Sequence, residues 1–131
     1  PDLSLRLSLY RRVGEIQSLK EMQLFKEEMI NRFGLIPDEF SNYLNVMVLK
    51  LLARQCSISK IHVLSQFFSL TFNKNRKNYS ENFIKWITNN KNKIILSSSH
   101  VIKIKHQTEG GEKQLIEIID LTKTMIELLK K

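Results

Sequence analysis

Between Phe40 and Leu52 the apolar side chains fall at Phe40, Tyr43, Leu44, Met47, Val48, Leu51 and Leu52, an i, i+3, i+4, i+7, i+8 series almost without a gap. Only an α-helix gathers such a series onto one stripe, and a stripe this continuous has to be covered by the rest of the chain. It therefore reads as core, with Leu44, Met47, Val48 and Leu51 buried. Asp38 and Glu39 stand at the positive end of this helix, while Lys50 and Arg54 lie off the stripe near its negative end. At 131 residues, with 42% hydrophobic and 26% charged side chains, the chain has the length and composition of one globular domain spanning 1–131. It opens on Pro1-Asp2 without Met, so the expectation is a domain excised from a longer chain.

Two more helices precede this one. Asp2 can cap the first, with Leu5, Leu9 and Val13 at i, i+4, i+8, Arg11 and Arg12 in its last turn and Gly14 as a stop. The alternation of Leu3, Leu5, Leu7 and Leu9 keeps a strand as the competing reading. Ser18-Leu19-Lys20-Glu21 is a capping box that opens a helix with Met22, Phe25 and Met29 on one face, followed by Phe33. Gly34 and Pro37 end it. The second half changes period. Ile61 and Val63, then Phe68, Leu70 and Phe72, alternate with polar residues and predict a hairpin turning at Leu64-Ser65-Gln66. Residues 73–79 form a polar basic loop. Ser80 can cap a short helix with Phe83, Ile84 and Ile87 inward. Residues 94–97 and 101–105 predict a second strand pair turning near Ser98-Ser99. A long final helix carries Leu115, Ile118, Ile119, Thr122, Ile126 and Leu129 at helical spacing. The fold class is α+β, with N-terminal helices and a long C-terminal helix packed on a small, mostly antiparallel β-sheet.

No catalytic constellation assembles from these pieces. Gly110-Gly111 lacks the Lys-Ser/Thr of a phosphate-binding loop and precedes Glu112. His62, His100 and His106 fall on or beside predicted strands, away from the i, i+4 helical spacing of a zinc pair. The single cysteine, Cys56, excludes a disulfide framework and reads as a small hydrophobe at a helix end. No cofactor and no metal site is expected in this domain. Apolar runs are a few residues long, so neither a membrane span nor a signal peptide is expected, and a cytoplasmic location is.

The charge is less simple. Lys and Arg number 21 against 13 Asp and Glu, a formal +8, with +2 in residues 1–65 and +6 in 66–131. Lys, Asn and Ile supply 40 of the 131 residues, all with A/T-rich codons, so compositional drift at permissive sites is the favoured explanation of the excess, ahead of a dedicated nucleic-acid face. Residues 73–93 hold six Lys/Arg and one Glu, with Tyr79, Phe83 and Trp86 among them. Cations interleaved with aromatics can track phosphates and stack bases. Lys74, Arg76, Lys77 and Tyr79 are the candidates for a weak, non-specific nucleic-acid contact. They are the basis of an alternative reading as a nucleic-acid-binding module.

The first 61 residues also carry a resemblance. Leu5-Arg6-Leu7-Ser8-Leu9-Tyr10-Arg11-Arg12, then Glu28-Met29-Ile30-Asn31-Arg32-Phe33-Gly34-Leu35-Ile36-Pro37, then Leu49 to Ala53 and Ser59-Lys60-Ile61 resemble, in order and spacing, the C-terminal domain of bacterial transcription-repair coupling factor. Three positions depart from that family's pattern: Asn31 where Asp is usual, Met29 where Leu is common, and Ser57 where a helix-ending Gly is expected.

The resemblance implies a non-catalytic regulatory domain of an ATP-dependent double-stranded DNA translocase. Such proteins displace stalled RNA polymerase and recruit nucleotide excision repair, with ATP and Mg held in helicase-type motor domains elsewhere in the parent chain. It implies, further, that the domain docks on a UvrB-like N-terminal module, masks the surface that binds UvrA and so autoinhibits the protein. Carried onto this sequence, the docking residues are Glu28, Asn31 and Arg32, which share one helix face at i, i+3, i+4. With Asn31 in place of a carboxylate, that docking either loses a charge-assisted hydrogen bond of roughly 1 kcal/mol or somewhat more, or is repaired by Glu27, one residue from Glu28.

Overall fold

The computed structural model describes residues 3–73 and 79–129 and holds five helices and four strands. They run α1 (Leu3–Gly14), α2 (Leu19–Phe33), α3 (Asp38–Gln55), β1 (Ile58–Val63), β2 (Phe67–Phe72), α4 (Glu81–Asn89), β3 (Ile94–Leu96), β4 (Val101–Lys105) and α5 (Gly111–Leu129). The chain divides into two compact units, residues 1–51 and 52–131.

In the first unit the leucine-rich start is a helix, not a strand. Leu5 and Leu9 are half-buried and Val13 fully buried, whereas Leu3 and Leu7 are exposed, as a 3.6-residue period requires. The proposed cap Asp2 lies outside the described residues. At the start of α2, Ser18 Oγ accepts from Glu21 N at 3.1 Å. The Glu21 carboxylate turns back onto Gln17 N at 3.0 Å, one residue earlier than the expected Ser18 N. Gly34 ends α2 at φ 82°, its N–H donating to Ile30 O at 2.8 Å. Met22, Phe25 and Met29 are buried as expected, but Phe33 in the last turn is exposed. Along α3, Leu44, Val48 and Leu51 are buried and Met47 is half-buried. Tyr10 joins the three helices, its ring lying edge-on to Phe40 (centroids 5.2 Å apart) and to Tyr43 (4.9 Å), while Phe40 leans on Phe25.

The second unit is a fully antiparallel sheet of order β1-β2-β4-β3 with α4 and α5. Its buried face is continuous, with Phe68, Leu70 and Phe72 from β2, Ile102 and Ile104 from β4, and Ile94 from β3. Phe72 meets Phe83 of α4 edge-on at 5.9 Å. Ile118, Ile119, Thr122, Met125 and Ile126 are the buried stripe of α5, and Thr122 donates its hydroxyl to Ile118 O at 2.7 Å. Met125, fully buried, extends the expected stripe, whose ends Leu115 and Leu129 are half-buried. Ser80 caps α4 through Phe83 N. Of the three α4 residues expected inward, Phe83 is buried, Ile87 is half-buried and Ile84 is exposed. Trp86, also half-buried, has its ring 5.8 Å from that of Phe83, and Asn90 at the C-cap donates from Nδ2 to Trp86 O.

Candidate interaction site

Glu28 lies in the penultimate turn of α2, three and four residues before Asn31 and Arg32. The four-residue connection from α1 to α2 leaves Arg12, in the last turn of α1, within reach. Its guanidinium grips the Glu28 carboxylate with both prongs, Nη1–Oε2 at 2.6 Å and Nη2–Oε1 at 2.8 Å, the fork geometry that suits Arg to carboxylates. Arg32, one turn on, adds a looser contact, Nη1–Oε2 at 3.4 Å. Each guanidinium also lies over a phenyl ring at 5.0 Å, Arg12 over Phe25 and Arg32 over Phe33. The hydrogen bonds from Arg12, with the charges of Arg12 and Arg32, pull the Glu28 carboxyl from 4.5 to about 2, and the same bonds raise Arg12. The three side chains remain 37–50% exposed, and Asn31 beside them is exposed.

The sequence pattern puts Glu28, Asn31 and Arg32 on one face but marks Arg12 only as a helix-end cation. A contact sixteen residues apart carries no periodic signature; only the packing of α1 on α2 produces it.

Beside this cluster lies an apolar cavity of about 430 Å³, lined by Leu5, Leu9, Tyr10, Met29, Phe33 and Phe40, with Arg6 and Glu39 at its rim 4.0 Å apart.

Among the nucleic-acid candidates, Lys74, Arg76 and Lys77 lie outside the described residues. Tyr79 is half-buried; its ring stacks on Phe83 at 5.4 Å and its hydroxyl donates to Ser99 O at 2.9 Å. The histidines lie apart from any acid–thiol cluster: among the described residues no group of three or more His, Cys, Asp or Glu could hold a metal ion. His106 sits between Glu117 Oε1 (3.0 Å) and Leu64 O (2.9 Å), where it ties the β1–β2 turn to α5. No helix among the described residues is long and apolar enough to cross a membrane.

Fold and surface together define a small α+β domain with an exposed, arginine-bridged carboxylate on its second helix. The TRCF domain family model matches residues 1–83, and the chain belongs to that family. It is 30% identical over 128 residues to the transcription-repair-coupling factor of Rickettsia prowazekii, covering 97% of this chain and 11% of that protein. It is 38% identical over 87 residues to the Rickettsia conorii protein of the same name, covering 66% of this chain and 8% of that one. The chain thus spans about a tenth of the length of these relatives. Its fold matches a crystal structure of the C-terminal domain of transcription-repair coupling factor with a TM-score of 0.78 at 16% identity, covering 98% of this chain and 83% of that one.

Proposed function

We infer that this chain is the regulatory C-terminal domain of a transcription-repair coupling factor, and that it acts by docking on a UvrB-like module of its parent and masking the surface that binds UvrA. Family membership supports the assignment. The observation that carries the docking reading is the exposed Arg12–Glu28–Arg32 cluster beside Asn31, within the segment matched by the family model. Two guanidiniums around one carboxylate leave a net charge of +1. A cationic partner must therefore compete with Arg12 for Glu28, and a carboxylate partner meets two partly exposed guanidiniums. Either exchange swaps one ion pair for another at modest net gain, as a reversible clamp requires, on the order of 1–3 kcal/mol of coupling. The parent would be the ATP-dependent translocase acting on double-stranded DNA and stalled RNA polymerase; the domain contributes restraint, not turnover.

The test is Glu28→Lys in a full-length coupling factor carrying this chain. Loss of the carboxylate loosens the clamp, so UvrA binding in the absence of stalled polymerase should rise, while the folding of the chain, followed by circular dichroism, stays intact. Unchanged UvrA binding by a folded variant would place the latch elsewhere. ATP turnover by the isolated chain would overturn the non-catalytic reading.

A further inference from the structure

The sheet of the second unit has a second face, and its chemistry is one-sided. Antiparallel register places Lys93, Lys105 and Phe67 in one row across the strands, since Lys105 N bonds Lys93 O and Phe67 pairs with Lys105. Ile95, Lys103, Ser69 and His62 form the next row, and Val101, Thr71 and Lys60 the third. These residues alternate with the buried ones and point away from the core. Lys60, His62, Lys103 and Lys105 are exposed and Lys93 is half-buried. None of the four strands contains Asp or Glu. None of the five cationic or titratable side chains is in an ion pair with a described carboxylate.

This arrangement works against the fold. Lys93 and Lys105 are directly opposite across a strand pair, a like-charge placement that destabilises a sheet, and Lys103 follows on the same face about 7 Å away. Drift at permissive sites adds exposed lysines without regard to their neighbours, whereas like charges opposed across a strand pair carry a cost. It does not account for a central strand, β4, whose outward positions after Val101 are both lysine and whose cross-strand neighbours, Ser69 and Ile95 beside Lys103 and Phe67 and Lys93 beside Lys105, include no carboxylate. Phe67 is half-buried with Lys103 Nζ 5.3 Å from its ring centroid, so a flat apolar ring sits inside the cationic field. Ser69 and Thr71 add hydroxyls between the lysines.

We propose that this open sheet face binds single-stranded nucleic acid. A single strand offers phosphates to lysines spaced about 5 Å across strands and about 7 Å along them, and unstacked bases to Phe67 and His62. A duplex hides its base faces, and an acidic peptide leaves the rings without a partner. None of its residues belongs to the Glu28 cluster, and its assignment stands whatever the latch does.

The test is fluorescence anisotropy of labelled oligo(dT) of about 20 nucleotides with the 131-residue chain across a salt series. Binding should weaken with salt at a slope of about 0.7 per phosphate contact. Lys103→Ala with Lys105→Ala should reduce affinity about tenfold at low salt and lower the slope by about 1.4, with an unchanged circular dichroism spectrum. Phe67→Leu should weaken binding severalfold and leave the slope unchanged, a split that mere loss of charge does not give. Lys123→Ala, on α5, should match wild type. The proposal is overturned if oligo(dT) fails to bind at low salt or if duplex DNA binds more tightly. It is equally overturned if polyglutamate competes as well as oligo(dT) does, or if only a Lys74→Ala, Arg76→Ala, Lys77→Ala variant loses affinity, which would move the contact to the basic segment.

Discussion

Ser57 stands between α3 and β1 at φ 59°, in the left-handed region that L-residues with a Cβ avoid. The family resemblance expects glycine here, and the backbone explains why: Ser57 N turns back to Arg54 O while Ser57 O accepts from Asn73 N, which fixes the turn from both sides. A left-handed L-residue costs about 1–2 kcal/mol, and glycine carries an entropic penalty of about 0.5–1 kcal/mol. Ser57→Gly should therefore stabilise the chain by about 0.5–1 kcal/mol, readable as a higher denaturation midpoint with an unchanged slope. At Glu28 the chemistry is of charge. Its folded carboxyl titrates at about 2, below the ordinary 4.5, so its ion pairs contribute stability above about pH 4.5 that disappears as pH falls towards about 2. The gap in melting temperature between wild type and Glu28→Gln should close across that window, and chemical-shift titration should place Glu28 below the other glutamates. A gap that persists to about pH 2 would mean that the pairing with Arg12 does not form in solution.

At the scale of elements, what was legible is what a helix or strand announces through its own period and caps. The α3 stripe, the Ser18 and Ser80 caps, the Gly34 stop and both hairpins all rest on local rules, and all stand in the structure. Leu44, 1% exposed on that stripe, should cost about 2–5 kcal/mol when truncated to Ala, measured by denaturant unfolding. What escaped rests on packing between elements. The apolar pattern of α4 puts Ile84 inward, yet it is Phe83 that meets the sheet, edge-on to Phe72, and Ile84 is left exposed. Arg12 escaped for the same reason, as a partner supplied by another helix. Asn31, exposed in the last turn of α2, is where the element meets its proposed partner. Asn31→Asp returns a carboxylate beside Arg32 and neutralises the +1 cluster. With a cationic counterpart, affinity for the docking module should rise about fivefold, the equivalent of roughly 1 kcal/mol, in a titration of the isolated module. A fall would instead identify the partner surface as acidic.

Across the whole molecule the net charge is not shared. Residues 1–51 hold seven basic and seven acidic side chains, and residues 52–131 hold fourteen and six, so the entire +8 belongs to the second unit. The sequence showed the excess and its drift toward the C-terminal half. It could not show that four lysines and a histidine share one sheet face, because that depends on the register between strands far apart in sequence. Salt should consequently act on the two units with opposite signs. The first unit is held in part by Arg12–Glu28–Arg32, whose exposed attraction salt screens. In the second, the dominant electrostatic effect is repulsion, so shortening the Debye length from about 30 Å at 0.01 M to about 8 Å at 0.15 M should stabilise it. Trp86, the single tryptophan, lies in α4 within that unit. The unfolding midpoint followed by its fluorescence should rise over this salt range. Relieving the opposed Lys93–Lys105 pair by Lys105→Gln should raise the low-salt midpoint by the equivalent of about 0.2–1 kcal/mol and flatten the salt dependence. A midpoint that falls with salt would mean that attraction, not repulsion, governs this unit, and the lysine face would then need carboxylate partners that its strands do not contain.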